Sequence, residues 1–204
     1  MVNLLINENE EWDDVYKKYS LEEIPWHSDD PDPALVSLLK KKKAKLGIAL
    51  DVCSGAGSNS IYLAKKGFSV TAIDISATAT AIAKQRAKTM GFAQKCNFLS
   101  DNVLTMKLPK NTFDFVFDRG CYHHIPHSEK QHFARIISES LKQEGQYYLI
   151  CFSDKNPPWE QNVSKEEIYR KFSPYFNIDE INIVPTIEKT GRKINFYHVR
   201  MTKK

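Results

Sequence analysis

The stretch Leu50-Asp51-Val52-Cys53-Ser54-Gly55-Ala56-Gly57-Ser58-Asn59, followed by Val70-Thr71-Ala72-Ile73-Asp74, decides how this chain is read. The apolar run from Gly47 to Val52 ends in a glycine-bearing turn, which opens into a helical pattern from Asn59 to Lys66. A second apolar run ends in the carboxylate of Asp74. Gly55 and Gly57 carry no side chain, so the turn lets a ligand approach its backbone. Asp74 stands where an acidic side chain accepts hydrogen bonds from two ribose hydroxyls. Strand, turn, helix and strand in this order predict a nucleoside-binding site.

Two cofactor classes compete for that site. A dinucleotide fingerprint wants a third glycine for close helix–strand packing, and three positions after Gly57 stands Ser60. Asp51, at the end of the first strand, repels a pyrophosphate and attracts the ammonium and sulfonium of S-adenosylmethionine. Both features favour S-adenosylmethionine over a nicotinamide dinucleotide. On these residues the chain resembles the class I S-adenosylmethionine-dependent methyltransferases, whose first motif is an acidic residue followed by alternating glycines. The resemblance covers nearly the whole chain. It departs at Cys53, where the family usually has its first glycine, and a backbone that tolerates a Cβ predicts a slightly reshaped turn there.

The 204 residues, 42% of them hydrophobic, suffice for one well-cored α/β domain and are short for two. No apolar run is long enough to cross a bilayer. Met1 to Glu8 lacks the basic leader and long apolar core of a secretory signal, so a cytoplasmic protein is expected. Cys53, Cys96, Cys121 and Cys151 form no Cys-x-x-Cys pair and fall in or beside predicted strands. They are expected as reduced, mostly buried thiols rather than disulfides or a zinc site. The net charge of +4 is mild. Its densest source, Lys40 to Lys45, lies at the end of a predicted helix, where cations suit the dipole, and does not make a nucleic-acid surface.

Trp12, Val15, Tyr16 and Tyr19 follow helical spacing and give an N-terminal helix with an aromatic face. A loop from Ile24 to Pro31 leads to a helix from about Pro33. The first strand covers about 47–53, and its helix runs to Gly67. Ser76 caps an alanine-rich helix ending at Gly91. A third strand, Asn97 to Ser100, ends at Asp101, and a fourth, Phe113 to Phe117, ends at Asp118. Ser128 with Gln131 predicts a capping box, Gly145 a turn into the fifth strand, and Ser164 with Glu167 a second box. Late strands at about 177–187 and 194–202 form a hairpin through Thr190-Gly191-Arg192.

This order gives an α/β fold with a mostly parallel sheet and one antiparallel member. The resemblance implies the same: a single-domain Rossmann-like methyltransferase fold over 1–204, seven-stranded, with an antiparallel C-terminal strand and helices on both faces. Residues 1–35 form an N-terminal helix and lid region, and 36–204 the catalytic core.

Ligands of open parallel sheets bind beyond the carboxyl ends of the strands, so Asp51, Asp74, Asp101 and Asp118 are expected to converge on one crevice. The resemblance assigns the ribose hydroxyls to Asp74 and the adenine amino group to Asp101 with Asn102. It assigns the methionine moiety to the backbone from Cys53 to Gly57, with Asn59 and Ile75 completing the cofactor set. After the fourth strand, Asp118-Arg119-Gly120-Cys121-Tyr122-His123-His124 supplies groups that position and deprotonate a nucleophile near neutral pH. Asp118, His123 and His124 are the catalytic candidates, although adjacent histidines are not expected to point the same way. No third ligand accompanies the histidine pair at suitable spacing, so no metal is expected. Asn156-Pro157-Pro158-Trp159 looks like the mark of enzymes that methylate amino nitrogens, but it follows the fifth strand rather than the fourth and reads as a rigid loop.

The aromatic helix, Pro25-Trp26, Gly57 to Leu63 and the Gly191 to Ile194 hairpin look like small-molecule methyltransferases acting on sulfur, selenium, tellurium or halide. The thiopurine and tellurite-resistance enzymes belong to that group. The expected activity is methyl transfer from S-adenosylmethionine to a small, soft nucleophile. Trp12, Tyr16, Tyr19 and Trp26 form the lid, with Arg119 and Tyr122 beside the acceptor. Three alternatives stay open: an RNA, DNA or protein methyltransferase, a non-catalytic S-adenosylmethionine-binding protein, and a nicotinamide-dependent oxidoreductase. The sequence leaves monomer and homodimer undetermined.

Overall fold

The computed structural model describes residues 11–41, 43–187 and 191–204. Along the chain come α1 (Trp12–Lys18), α2 (Pro33–Lys40), β1 (Ile48–Val52), α3 (Ser58–Lys65), β2 (Ser69–Asp74), α4 (Ala77–Thr89), β3 (Cys96–Ser100) and β4 (Phe113–Arg119). A short 3-10 turn (Tyr122–His124) follows, then α5 (Lys130–Ser140), β5 (Leu141–Phe152), α6 (Lys165–Phe172), β6 (Phe176–Ile187) and β7 (Lys193–Lys203). The strands form one sheet in the order β3-β2-β1-β4-β5-β7-β6. Only β7 runs antiparallel to its neighbours, so six strands are parallel. Among the described residues no helix is long and apolar enough to cross a membrane.

Period-two alternation explains why both faces of the sheet are covered. Leu50, Val52 and Val116 pack with Phe133, Ile137, Ile168 and Phe172 of α5 and α6. Their strand neighbours Ala49, Phe115 and Phe117 pack with Leu35, Ile61, Leu63 and Ala83 of α2, α3 and α4. Strand order reverses between β1 and β4, and a crevice opens at their carboxyl ends.

Local signals set most element ends. Ser76 Oγ accepts from the Ala79 amide at 2.9 Å and caps α4. Gly57, at φ +81°, begins α3, and a Cβ there would lie 2.9 Å from both Ala83 and Phe98. Its missing side chain therefore serves the packing of α4 and β3 against the turn. The helix α1 docks on that same turn through Val15 and Tyr16 against Ala56 and Ala79, while Asp13 accepts from Ser76 Oγ and the Thr78 amide.

Four expectations are corrected. The Ser128–Gln131 box does not form, because a turn closed by Glu129 N–H on the Pro126 carbonyl delays α5 to Lys130. Gln131 instead donates to the Lys171 carbonyl and Tyr175 hydroxyl. Ser164 caps the Glu167 amide, but the Glu167 carboxylate turns inward to Tyr122 and Lys130, so only half of that box exists. Gly145 does not begin β5. The strand starts at Leu141 and bulges where its pairing shifts from Phe113↔Leu141 to Phe115↔Gln146, with Glu144 in the left-handed region.

The fourth correction concerns the cysteines. Cys96 and Cys151 are free, but Cys53 and Cys121 are joined in a disulfide. Pairing of Val52 with Asp118 across β1 and β4 delivers the two segments that follow side by side, with Cα atoms 5.4 Å apart. Cys53 also holds φ +52°, so the turn keeps a glycine-like backbone rather than being reshaped around the Cβ. Gly191 holds φ +81° before β7, and Thr190 of the expected hairpin turn lies outside the described residues.

Candidate active site

A cavity of about 360 Å³ lies beyond the carboxyl ends of β1, β2, β4 and β5. Trp12, Tyr16 and Trp26 line one side, and Cys53, Asp74, Ile75, Arg119, His123, His124, Phe152 and Phe196 line the rest. Its size suits a small ligand. The last residue of β2, Asp74, is buried except for this opening. Its Oδ2 accepts from Gly55 N–H at 2.7 Å and its Oδ1 from Ser76 N–H at 2.9 Å. Burial raises its pKa, against the pull of those two amides. Each oxygen keeps a second lone pair for a further donor.

The aromatic side of the cavity is a connected set. Trp26 Nε1 donates to the Tyr16 hydroxyl at 3.1 Å, and Trp12 meets Trp26 edge-on at 5.5 Å. A Cβ on Gly55 would lie 2.7 Å from the Tyr16 oxygen, so the space that the glycine leaves admits Tyr16. Burial pushes the Tyr16 phenol up to about 12. Tyr19 packs in the same aromatic cluster but does not line the cavity.

Of the four strand-end aspartates, Asp74 alone lines the cavity. Asp51 is covered by α3 and accepts from Ser60 Oγ at 2.5 Å. Asp118 is fully buried and accepts from the Cys121 amide at 2.9 Å and the Tyr147 hydroxyl at 2.8 Å. Burial pushes both carboxyls up to about 7, and in Asp51 the neighbouring Asp118 adds to the effect. Asp101 is exposed and caps the Asn102 amide, while Asn102 accepts from Leu104 N–H. Asn59 accepts from Asp32 N–H and lines, with Gly55 and Gly57, a smaller cleft of about 110 Å³. That cleft shares Tyr16, Trp26 and Arg119 with the main cavity.

The raised Asp118 pKa has a consequence for stability. A folded-state pKa above the unfolded value means that the fold holds the proton. The contribution is therefore full below about pH 4 and lost as pH rises to about 7. The depressed histidines pull the opposite way between about pH 4 and 6.5, so the wild-type curve mixes both effects. The comparison with Asp118→Asn cancels the histidines and leaves the contribution of the carboxyl, its influence on Asp51 included. The variant should gain stability relative to wild type as pH rises from 4 to 7, by up to ~1.4 kcal/mol per pH unit, and then level off. Urea unfolding at four pH values measures this, and a pH-independent difference would show that Asp118 is ionised throughout.

Both histidines face the cavity, contrary to the expectation that neighbours must diverge. The tight turn of Tyr122–His124 brings their rings within 4.4 Å of each other. His123 is buried, stacks on Phe152 at 3.9 Å and accepts from the Phe152 amide through Nδ1, which leaves the proton on Nε2. Burial, then His124, holds its pKa well below the ordinary value. His124 is open to the cavity yet crowded by Trp12 at 4.8 Å, and loss of solvation lowers it to about 4. Tyr122 points the other way. Its ring is in the core and its hydroxyl donates to Glu167, so it does not border an acceptor. Arg119 reaches the cavity with Nε held on Asp32 at 2.6 Å.

Phe152 and Phe196 are wall residues that the sequence reading missed. Phe152 ends β5, so the strand-end rule applied to the aspartates points to it as well. Phe196 carried no such signal, because its place depends on β7 pairing with β5 in the register Phe152↔Phe196. Asn156 of the Asn-Pro-Pro-Trp segment bonds to the Ser153 carbonyl and to Asn195, and it does not line the cavity.

Comparison with known proteins agrees with this architecture. Residues 49–145 match the methyltransferase domain family. The chain is 32% identical over 107 residues to an uncharacterized methyltransferase, C750.03c, of Schizosaccharomyces pombe, covering 52% of this chain and 72% of that protein. It is 23% identical over 162 residues to 2-heptyl-1-hydroxyquinolin-4(1H)-one methyltransferase of Mycobacteroides abscessus, covering 78% and 70%. A solved structure described under "Conversion of a Disulfide Bond into a Thioacetal Group during Echinomycin Biosynthesis" shares the fold at a TM-score of 0.83. Its identity is 21%, over 94% of this chain and 90% of that one. With its reversed strand order, its glycine turn and a carboxylate at the end of β2, the chain belongs to the S-adenosylmethionine-dependent methyltransferases.

Proposed function

We propose that this methyltransferase acts on a small acceptor whose nucleophile is soft and enters already ionised: a thiol, a selenium species or a tellurium species. The observation that carries this reading is the weakness of the cavity's imidazoles as bases. His124 sits at about 4, and His123 is depressed by burial with Nδ1 already engaged. General-base catalysis works best when the base titrates near the working pH, so neither ring suits removal of a proton from an amine or alcohol at neutrality. A thiol or hydroselenide ionises unaided near or below neutral to mildly basic pH. The Arg119 guanidinium on the wall favours such an anion. The solved neighbour associated with conversion of a disulfide into a thioacetal supports a sulfur acceptor.

Asp74 fits the cofactor's ribose, since its carboxylate opens to the cavity with lone pairs to spare. The backbone from Cys53 to Gly57 holds the methionine end and Asp101 with Asn102 the adenine, with Asn59 and Ile75 completing the cofactor set. When bound, S-adenosylmethionine supplies the methyl as a sulfonium substituent. Trp12 and Trp26 exclude water from the cavity and offer aromatic surface to a cation. His124 and Arg119 orient the acceptor, and Asp118 holds the Cys121 turn in place from beneath. In this reading the chain works as one domain in the cytoplasm; of the lid region expected over 1–35, residues 1–10 lie outside the described residues, and 11–35 serve as the lid.

A panel of small thiols, selenite- and tellurite-derived species, phenols, hydroxyquinolones and amines, read by S-adenosylhomocysteine release, tests the assignment. Turnover should favour the soft acceptors and follow the acceptor's own pKa. His124→Ala should lower the rate only a few-fold and by the same factor across neutral and basic pH, because a ring that orients the acceptor takes no proton from it. Turnover confined to phenols, hydroxyquinolones or amines overturns the soft-acceptor reading.

A further inference from the structure

The two residues of the Cys53–Cys121 disulfide differ in their access to solvent. Both residues line the cavity, but Cys53 is exposed whereas Cys121 is only 1% exposed. The bond ties the turn after β1 to the turn after β4, the two segments that meet at the strand-order reversal. The other two cysteines, Cys96 and Cys151, line neither this cavity nor its neighbouring cleft.

We propose that the Cys53–Cys121 pair is a thiol–disulfide exchange site in the cavity wall, and that its ligand is a low-molecular-weight thiol. Exchange is displacement at sulfur, and access decides which sulfur is attacked. The incoming thiolate reaches Sγ of Cys53 from the cavity, and a new S–S bond forms there. The Cys53–Cys121 bond breaks, its electron pair leaves on Cys121 Sγ, and that thiolate takes up a proton from water. The product is a mixed disulfide on Cys53. A second thiol attacks the adduct's outer sulfur, releases the small disulfide and leaves Cys53 as a thiol. Two thiols are oxidised to one disulfide and the protein disulfide is reduced to two thiols. Small disulfides run the sequence backwards, so the site reads the ratio of thiol to disulfide in its surroundings.

The adduct has a position as well as a chemistry. Cys53 shares the cavity with Asp74, Trp12 and His124, so a mixed disulfide fills space that donor and acceptor need. This consequence for turnover rests on the cofactor assignment above, but the exchange itself does not.

The test uses the full chain with defined mixtures of 2-mercaptoethanol and its disulfide, quenched with acid and mapped by peptide mass spectrometry. In the disulfide-rich mixture the wild type should yield the linked Cys53–Cys121 peptide, and raising the thiol fraction should convert it to two free thiols. Cys121→Ser cannot close the ring and should carry one adduct on Cys53. Cys53→Ser should leave Cys121 at least ten-fold slower to react, with equal rates after denaturation. Absence of the linked peptide, or adducts that form equally fast on Cys121, Cys96 and Cys151 in the folded protein, overturns the proposal. S-adenosylhomocysteine titration of Cys121→Ser, with and without its adduct, is the separate readout. The adduct should weaken binding at least ten-fold, and unchanged affinity overturns the blockade. If the unmodified protein does not bind S-adenosylhomocysteine, the cofactor assignment falls while the mapping still decides the exchange.

Discussion

Replacing Glu167 by alanine is expected to destabilise the protein by about 3–5 kcal/mol, the cost of leaving a buried charge without its partner. Glu167 Oε1 accepts from Lys130 Nζ at 2.8 Å and from the Tyr122 hydroxyl at 3.0 Å. The two charged side chains are only 6% and 11% exposed, so solvent does not replace the lost carboxylate. Alanine strands the Lys130 ammonium against the Tyr122 ring, which it covers at 4.9 Å. The effect is also functional, because Tyr122 is the first residue of the turn that carries His123 and His124. Urea unfolding gives the magnitude. Lys130→Met combined with Glu167→Leu should recover part of the loss, since an apolar pair of similar size needs no partner while the buried Tyr122 hydroxyl still lacks its acceptor. A loss below about 1 kcal/mol in the single variant would place the pair among solvated surface salt bridges and refute the argument.

Asp74→Ala should weaken S-adenosylhomocysteine binding by about 1.5–3 kcal/mol, the value of hydrogen bonds to a charged group. That is a roughly ten- to 150-fold rise in Kd. The carboxylate is held open to the cavity by the Gly55 and Ser76 amides, which fix both its oxygens. Removing it also frees those amides, so part of any loss arises in the turn itself. Asp74→Asn separates the two effects, because it keeps an acceptor and the side-chain shape while losing the charge. Calorimetric titration of both variants should rank wild type, asparagine and alanine in falling affinity. Unchanged affinity in Asp74→Ala would remove the residue from the cofactor site, and wild-type binding of NAD in place of S-adenosylhomocysteine would remove the cofactor class.

Much of the architecture was legible before any coordinates. The β1–turn–α3–β2 unit is continuous in the chain, so its apolar runs, glycines and terminal carboxylate act within about 25 residues. Ser76 and Gly91 bracket α4 as expected, because capping is a contact between residues a few positions apart. The Ser128 box failed for an equally local reason: the Pro126 turn claimed the residues that it needed.

What the sequence determined by itself was therefore the set of elements, the carboxyl-end crevice and the family, since these rest on short-range periodicity and motif spacing. What only the tertiary structure decided was which strand-end side chains reach the cavity. Asp51 and Asp118 stand at strand ends as Asp74 does. However, α3 covers the first, and Tyr147 and the Cys121 turn close over the second. Whether a strand-end side chain meets solvent or another element depends on what packs over it, and that partner comes from elsewhere in the chain. The same holds for Phe196, brought to the wall by antiparallel pairing with β5, and for the Cys53–Cys121 bond across 68 residues. A contact between distant segments is set by sheet register, and register is a property of the assembled sheet rather than of either segment.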